Sequence, residues 1–147
     1  MNSSTQTARA VHRNSAKGFS LMELMITIAI IAILVALAYP SYARYVRKAQ
    51  RGEAQQLLIN WTNNQEIWRS NNPTYADDVA SPDGIPVPTH ERYTFTLGAP
   101  NPPTATQYLL VATAQGDQAK DGVTGEGQCA VLNIDQAGAK TPAACWD

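Results

Sequence analysis

The carboxylate of Glu23 is the most chemically informative group in the sequence, because it lies inside an apolar run of membrane length. Residues 19–38 supply about 20 residues, and at roughly 1.5 Å per residue these match a hydrocarbon core of roughly 30 Å. A single acid in such a segment is costly, which indicates a function and calls for a cationic partner. No Lys, Arg or His lies between Phe19 and Tyr42. Cleavage after Gly18 would create an α-amino group at Phe19, and a neighbouring copy could present that amine to Glu23.

Few other side chains suggest chemistry. The two histidines are His12, near the N-terminus, and His90, in a predicted loop. No glycine-rich phosphate loop, Cys/His metal spacing or nucleophile motif accompanies them, so the sequence predicts no enzyme and no cofactor. Asp117, Asp121 and Glu126 could offer oxygen ligands to Ca²⁺, but their spacing does not fit a one-loop calcium site. We therefore expect a polar loop there.

Helical periodicity predicts the element that carries Glu23. The helix should run from about Phe19 to about Ser70, apolar all round at first and amphipathic beyond Pro40. Proline inside a helix removes a hydrogen bond, so we expect a kink or local melting there when the helix packs in an assembly. The predicted apolar stripe comprises Tyr42, Tyr45, Val46, Ala49, Leu57, Leu58, Trp61 and Trp68. The predicted polar face comprises Arg44, Lys48, Arg51, Gln55 and Asn63.

The rest of the chain reads as a proline-rich loop followed by short strands. The prolines of residues 71–92 predict the loop. Alternating apolar patterns predict strands at 93–97, 107–114, 128–134 and 139–141. The fold class is therefore α+β, with one long helix packed on an antiparallel sheet of three or four strands.

The N-terminal segment resembles the start of a type IV prepilin. The matching residues are Lys17-Gly18, then Phe19-Ser20-Leu21-Met22-Glu23-Leu24, the apolar helix and Pro40. The resemblance implies a type IV pilin fold, cleavage after Gly18 by a prepilin peptidase, and N-methylation of Phe19. It also implies filament assembly through Phe19, Glu23 and Pro40. The implied segments are a leader at 1–18, a transmembrane and assembly helix at 19–40, and a head at 41–147 with helix 41–70, loop 71–92 and sheet 93–147.

The same resemblance implies a function and a location. The chain would be a structural subunit of a type IV pilus, of the small or minor type, that supports adhesion, twitching motility or DNA uptake. Its partners would be other pilin subunits, the peptidase, the assembly platform of the inner membrane and membrane lipid. The head would lie in the periplasm before assembly and outside the cell afterwards. The alternatives are a type II secretion pseudopilin and a minor pilin that captures DNA.

Cys129 and Cys145 are the only cysteines. An even cysteine count in an exported domain favours one disulfide, and the alternative is two free thiols. A bridge between them would close a loop of about 17 residues and contribute about 3 kcal/mol. It would hold the C-terminal loop on the sheet.

Charge is distributed unevenly along the chain. Up to Arg51 there are seven Lys or Arg residues and one acid, whereas the remainder has four against eleven, a balance of 4 − 11 = −7. That balance disfavours nucleic acid as a partner without excluding it, since phosphate binding needs clustered cations. The one basic cluster comprises Arg44, Arg47, Lys48 and Arg51. It could be a solvated helix face, contact lipid headgroups, pair with acids of neighbouring subunits, or contact DNA.

Overall fold

The computed structural model describes residues 18–77 and 84–146. Most of the predicted leader, at 1–17, therefore lies outside the described residues. One α-helix, α1, spans Leu21–Asn71 and contains Pro40 without interruption, which confirms the predicted helix to within two residues. Its C-terminus is closed by Asn72, whose side-chain amide donates to the carbonyl of Trp68 at 2.9 Å. The weakening expected at Pro40 in a packed filament stays a prediction.

The chain divides into two units, Met1–Ala38 and Tyr39–Asp147. In the first unit every side chain from Gly18 onward is exposed, and this part of α1 is long and apolar enough to cross a membrane. The second unit, called the head below, contains the remainder of α1 and all the strands.

The sheet of the head is a four-stranded antiparallel meander. Its strands are β1 (Tyr93–Leu97), β2 (Leu109–Ala114), β3 (Val131–Asp135) and β4 (Lys140–Thr141), in the order β1-β2-β3-β4. The predicted strands are confirmed, with β2 and β3 beginning two and three residues later than expected. Short 3₁₀ helices cover Gly116–Lys120 and Ala143–Cys145. The β3–β4 turn is fixed by the Asp135 carboxylate, which accepts from the backbone of Ala137 and Ala139, each at 2.9 Å.

The core of the head lies between α1 and one face of the sheet. Strand side chains alternate between this face and the outside, as the period of two requires. Trp61 of α1 meets Phe95 of β1 edge-on, with ring centroids 6.5 Å apart. The buried apolar residues are Ala54, Leu58, Trp61, Tyr93, Phe95, Tyr108, Leu110, Ala112, Ala114, Leu132 and Ile134, together with Cys129 and Cys145.

The predicted faces of α1 need correction. The buried line runs through Arg51, Ala54, Leu58, Trp61 and Gln65, at the spacing of a helix face. Tyr42 and Tyr45, predicted in the apolar stripe, are 68% and 74% exposed, whereas Arg51, predicted on the polar face, is 4% exposed. The face prediction was wrong because apolarity was taken as the only driver of burial, and a charged side chain can be buried when it is paired.

Candidate functional site

Of the predicted assembly residues, Phe19 and Glu23 lie at the start of the described part of the first unit, and Pro40 lies in the second unit. Gly18, Phe19 and Ser20 precede α1, and Phe19 is 85% exposed. Glu23 lies in the first helical turn. Its backbone carbonyl accepts a hydrogen bond from the hydroxyl of Thr27 at 2.7 Å. The Thr27 hydroxyl therefore has its hydrogen-bond partner within the helix. The Glu23 carboxylate is exposed along with the apolar residues around it.

Two of the four cations of the basic cluster form ion pairs within the head, and the other two are exposed. Arg47 pairs with Asp117 at 2.9 Å, and Arg51 pairs with Asp121 at 2.8 Å. Arg44 and Lys48 remain exposed. Two of the four cations therefore attach α1 to the segment after β2, and the other two are available to an external anion.

The Arg51–Asp121 pair anchors a glycine-rich loop. Both side chains are only 5% exposed, and the Asp121 carbonyl accepts from the backbone of Cys129 at 3.0 Å, which closes the loop between them. Gly122 is required inside it, because a Cβ at that position would lie 1.6 Å from the Gly125 carbonyl oxygen. The ion pair thus fixes a loop whose backbone is already tightly folded.

Gln118 provides a second attachment between this segment and α1. Its buried side-chain amide donates to the carbonyl of Arg47 at 2.9 Å and to the hydroxyl of Tyr93 at 3.0 Å. Burial raises the pKa of Tyr93, against the lowering effect of that hydrogen bond. The Tyr93 hydroxyl is therefore protonated at neutral pH, and it accepts the hydrogen bond from Gln118.

A basic groove of about 510 Å³ lies between α1 and the anchored loop. The cations along it are Arg44, Arg47, Lys48 and Arg51 of α1 and Lys120 on the opposite side. Tyr45, 74% exposed, and Val123, 54% exposed, add apolar surface to the groove. Glu126 of the glycine-rich loop adds one acid to the lining. Exposed cations beside an aromatic ring suit a phosphodiester chain, because the cations bind phosphates and the ring contacts sugars or bases.

Asp117 has two cationic partners, Arg47 and Lys120, that both line this groove. Hydrogen bonds from Lys120, at 3.2 Å, and from Arg47 hold the pKa of the Asp117 carboxyl below its usual range. Asp117 and Asp121 are thus both engaged by cations. Nothing in the described part of the chain groups three or more metal-binding side chains.

The chain is similar to two sequence families. Residues 13–39 match the prokaryotic N-terminal methylation motif. Residues 40–133 match the family described as type IV minor pilin ComP, DNA uptake sequence receptor. This chain belongs to that minor pilin family. The match includes the basic segment of α1 and the glycine-rich loop. The chain is therefore a pilin anchored in the membrane by its apolar helix and later part of a pilus.

A solved structure agrees on the fold. The type IV pilin from Shewanella oneidensis superimposes with a TM-score of 0.51 at 22% identity, over 69% of this chain and 98% of that one. A comparison with curated proteins found no match. The minor pilin thus has the type IV pilin fold that the sequence predicted.

The disulfide of this minor pilin is confirmed. Cys129 and Cys145 are bonded, with their Cα atoms 5.7 Å apart and both residues fully buried. The side-chain amide of Gln55 donates to the carbonyl of Cys145. The C-terminal segment is therefore attached both to the end of the glycine-rich loop and to α1.

Several functional contacts of the minor pilin could not be recognised from its sequence. Gln55, Gln65 and Gln118 are polar residues without a motif, yet each bonds a distant backbone atom. The pairing of Arg51 with Asp121 spans 70 positions. The one usable signal was the equal spacing of four residues in Arg47/Arg51 and in Asp117/Asp121, although the two acids lie on a 3₁₀ helix and its C-cap.

Proposed function

We propose that this minor pilin captures DNA at a type IV pilus for uptake. The family match over residues 40–133 carries the proposal, because that family is described as a receptor for DNA uptake sequences. The matched range contains Arg44, Lys48 and Lys120, the exposed cations of the basic groove. These three side chains are our candidates for contacts with DNA phosphates.

The excess of acids over cations in the head is compatible with DNA binding, because the position of each charge matters more than the sum. Asp117 and Asp121 are each paired with an arginine of α1, and Glu126 is a further acid in the groove lining. Salt screens exposed charges beyond about 10 Å, so local cations determine whether phosphates bind. A head with net negative charge would also repel DNA elsewhere, which restricts binding to the groove.

The type II pseudopilin alternative is less well supported. A calcium-binding pseudopilin would need the acids of the glycine-rich loop as ligands. Here Arg51 occupies the buried carboxylate of Asp121. The pairing favours a structural role for these acids.

Assembly of the pilin would depend on its N-terminus. We propose that the prepilin peptidase cuts between Gly18 and Phe19, that Phe19 is then N-methylated, and that its amine pairs with Glu23 of a neighbouring subunit. The exposed apolar residues of the first unit would pack against other pilin subunits after extraction by the assembly platform. Mass spectrometry of the membrane protein tests the cut. A mature N-terminus other than Phe19 would exclude it, and Gly18→Glu should leave precursor.

DNA binding is tested with the mature full-length pilin in detergent. Fluorescence anisotropy of a labelled duplex, measured over a range of salt concentrations, gives the affinity and its salt slope. We expect Arg44→Gln/Lys48→Gln to weaken binding and to reduce the slope by about 0.9 for each phosphate contact that is lost.

Lys140→Gln is the matched control. Lys140 is an exposed cation of β4, stacked 5.1 Å from the ring of Trp146 and absent from the groove lining. Its loss should leave the slope unchanged. An unchanged slope in the Arg44/Lys48 double variant would exclude the groove as the site, and failure of the wild-type pilin to bind duplex DNA would exclude the function.

A further inference from the structure

A second groove borders α1, and its lining shares only Arg47 with the basic groove. It has a volume of about 290 Å³, and α1 contributes Tyr39, Tyr42, Ala43, Val46, Arg47 and Gln50 to it. Tyr39, Ala43, Val46 and Gln50 follow at spacings of four, three and four, so they form one stripe along the helix. Tyr39 and Tyr42 are each 68% exposed. This amphipathic groove therefore has an aromatic and aliphatic floor that faces solvent.

The other wall of the amphipathic groove carries one charge of each sign. Glu91 and Arg92 line it and are both exposed. Asp117 and Gln118 also line it, but Asp117 is engaged by Arg47 and Lys120. The groove thus has an exposed acid and an exposed arginine, adjacent in sequence, in a lining that also includes Tyr39 and Tyr42.

The backbone that presents Glu91 and Arg92 is held in place. The N–H of Arg92 donates to Nδ1 of His90 at 3.0 Å, and the carbonyl of Arg92 accepts from the backbone of Gln115 at 2.8 Å. Because Nδ1 accepts, Nε2 of His90 carries the hydrogen and faces the Glu53 carboxylate of α1 at 3.2 Å. The backbone that carries the two charged side chains is therefore fixed before any ligand binds.

The position of the groove along the sequence indicates its occupant. Tyr39 follows directly on Ala38, the last residue of the apolar run. Tyrosine is enriched where a membrane-spanning helix enters the headgroup layer, because its ring is apolar and its hydroxyl is polar. Headgroup layers are about 5–7 Å thick on each side, and Tyr42 lies about 4.5 Å along the helix from Tyr39.

We propose that the amphipathic groove binds the headgroup of an aminophospholipid while the pilin resides in the membrane. The phosphate would accept hydrogen bonds from the planar guanidinium of Arg92. The ammonium would contact the Glu91 carboxylate, and the glycerol and upper acyl chain would lie on Tyr39 and Tyr42. A purely anionic headgroup would match Arg92 but would leave Glu91 facing a negative charge. This lipid site does not rest on the proposed DNA function: the two grooves share Arg47, but Glu91 and Arg92 line only the amphipathic groove.

Native mass spectrometry of the mature full-length pilin in detergent tests the proposal. Phosphatidylethanolamine, phosphatidylcholine and phosphatidylglycerol are added in turn, and the fraction of pilin that retains one lipid is measured. We expect phosphatidylethanolamine to be retained best. Arg92→Gln should reduce its retention at least fivefold, and Glu91→Gln should abolish the preference over phosphatidylglycerol.

Two control measurements distinguish the lipid site from a general effect of surface charge and from the DNA site. Lys140→Gln should retain lipid like the wild type, and Arg92→Gln should leave duplex DNA binding unchanged. Equal retention of all three lipids, or retention unaffected by Arg92→Gln, would overturn the proposal. A photo-reactive residue at position 42 should cross-link lipid in membranes without pili. Cross-linking to a second pilin chain instead would assign the groove to subunit contact and would also overturn it.

Discussion

The two parts of α1 share one backbone conformation but differ in what surrounds their side chains. From Leu21 to Ala38 every side chain is exposed, including the large apolar ones. Beyond Tyr39 the same helix buries one line of residues, and that line begins with Arg51 and includes Gln65. The apolar part thus leaves its apolar groups exposed, whereas the head part buries two polar ones.

The difference shows that burial follows the available partners. An apolar helix whose described side chains are all exposed needs lipid or other subunits to cover it, which is the condition of a pilin before and after assembly. In the head, Arg51 is buried because Asp121 meets it at 2.8 Å. Changes in the first part should therefore affect assembly, and changes in the second part should affect stability.

The largest effect is expected from Glu23→Ala. Removing the carboxylate should reduce incorporation into pili at least tenfold, because the Phe19 amine of a neighbour would lose its partner in a low-dielectric bundle. Glu23→Gln should fail equally, since it keeps the size and loses the charge. Immunoblots of sheared pili against membranes give the ratio, with Leu24→Ala as the packing control. Normal incorporation of either Glu23 variant would contradict the pairing.

The same contrast explains which features could be predicted from the sequence. Residue types at short spacing were sufficient for the helix, the four strands and the apolar segment, because these depend on local periodicity. The disulfide was predictable because only one pairing of two cysteines exists. The prediction for Arg51 was wrong because its burial depends on a carboxylate 70 residues later, and no local pattern reports such a contact.

The two grooves could not be predicted for a related reason. Each is lined by residues of α1 and by residues distant in sequence, such as Lys48 with Lys120 or Tyr42 with Arg92. The sequence indicated the basic segment of α1 but could not show that Arg47 and Arg51 bind within the chain. It therefore left four interpretations of that cluster open.

Within the head, the largest loss of stability is expected from Arg51→Met. The change leaves the Asp121 carboxylate buried without its partner, which should lower the free energy of unfolding by about 3–5 kcal/mol. Arg51→Met/Asp121→Leu should recover most of the loss, because both charges are then gone. Denaturant unfolding followed by tryptophan fluorescence measures both. Arg44→Met, at an exposed position, should stay within about 0.5 kcal/mol of wild type, and an equal loss there would refute the distinction between the two arginines.

Replacing both cysteines by serine should have a somewhat smaller effect. The unfolded chain gains freedom when the bond between Cys129 and Cys145 is absent, so the free energy of unfolding should fall by about 2–4 kcal/mol. The apolar part of α1 should keep its helical circular dichroism. Reduced wild-type protein is the matched control and should unfold at the same denaturant concentration as the double variant. Thiol labelling of the unreduced protein must find no reactive cysteine, and two labelled thiols per chain would exclude the bond.

The smallest effect on stability is expected from a substitution of Asp117, whose side chain is 57% exposed. Its carboxyl pKa is lowered by hydrogen bonds from Lys120 and Arg47, so its contribution to stability is complete above the unfolded-state pKa of about 3.9. The contribution is lost as pH falls through the lower folded-state value. Asp117→Asn should therefore lower Tm by at most about two degrees at pH 7, because exposed ion pairs are weak and screened. The difference from wild type should shrink as the pH is lowered below that unfolded-state pKa. A difference in Tm that does not change with pH would show that Asp117 acts through packing and not through its charge.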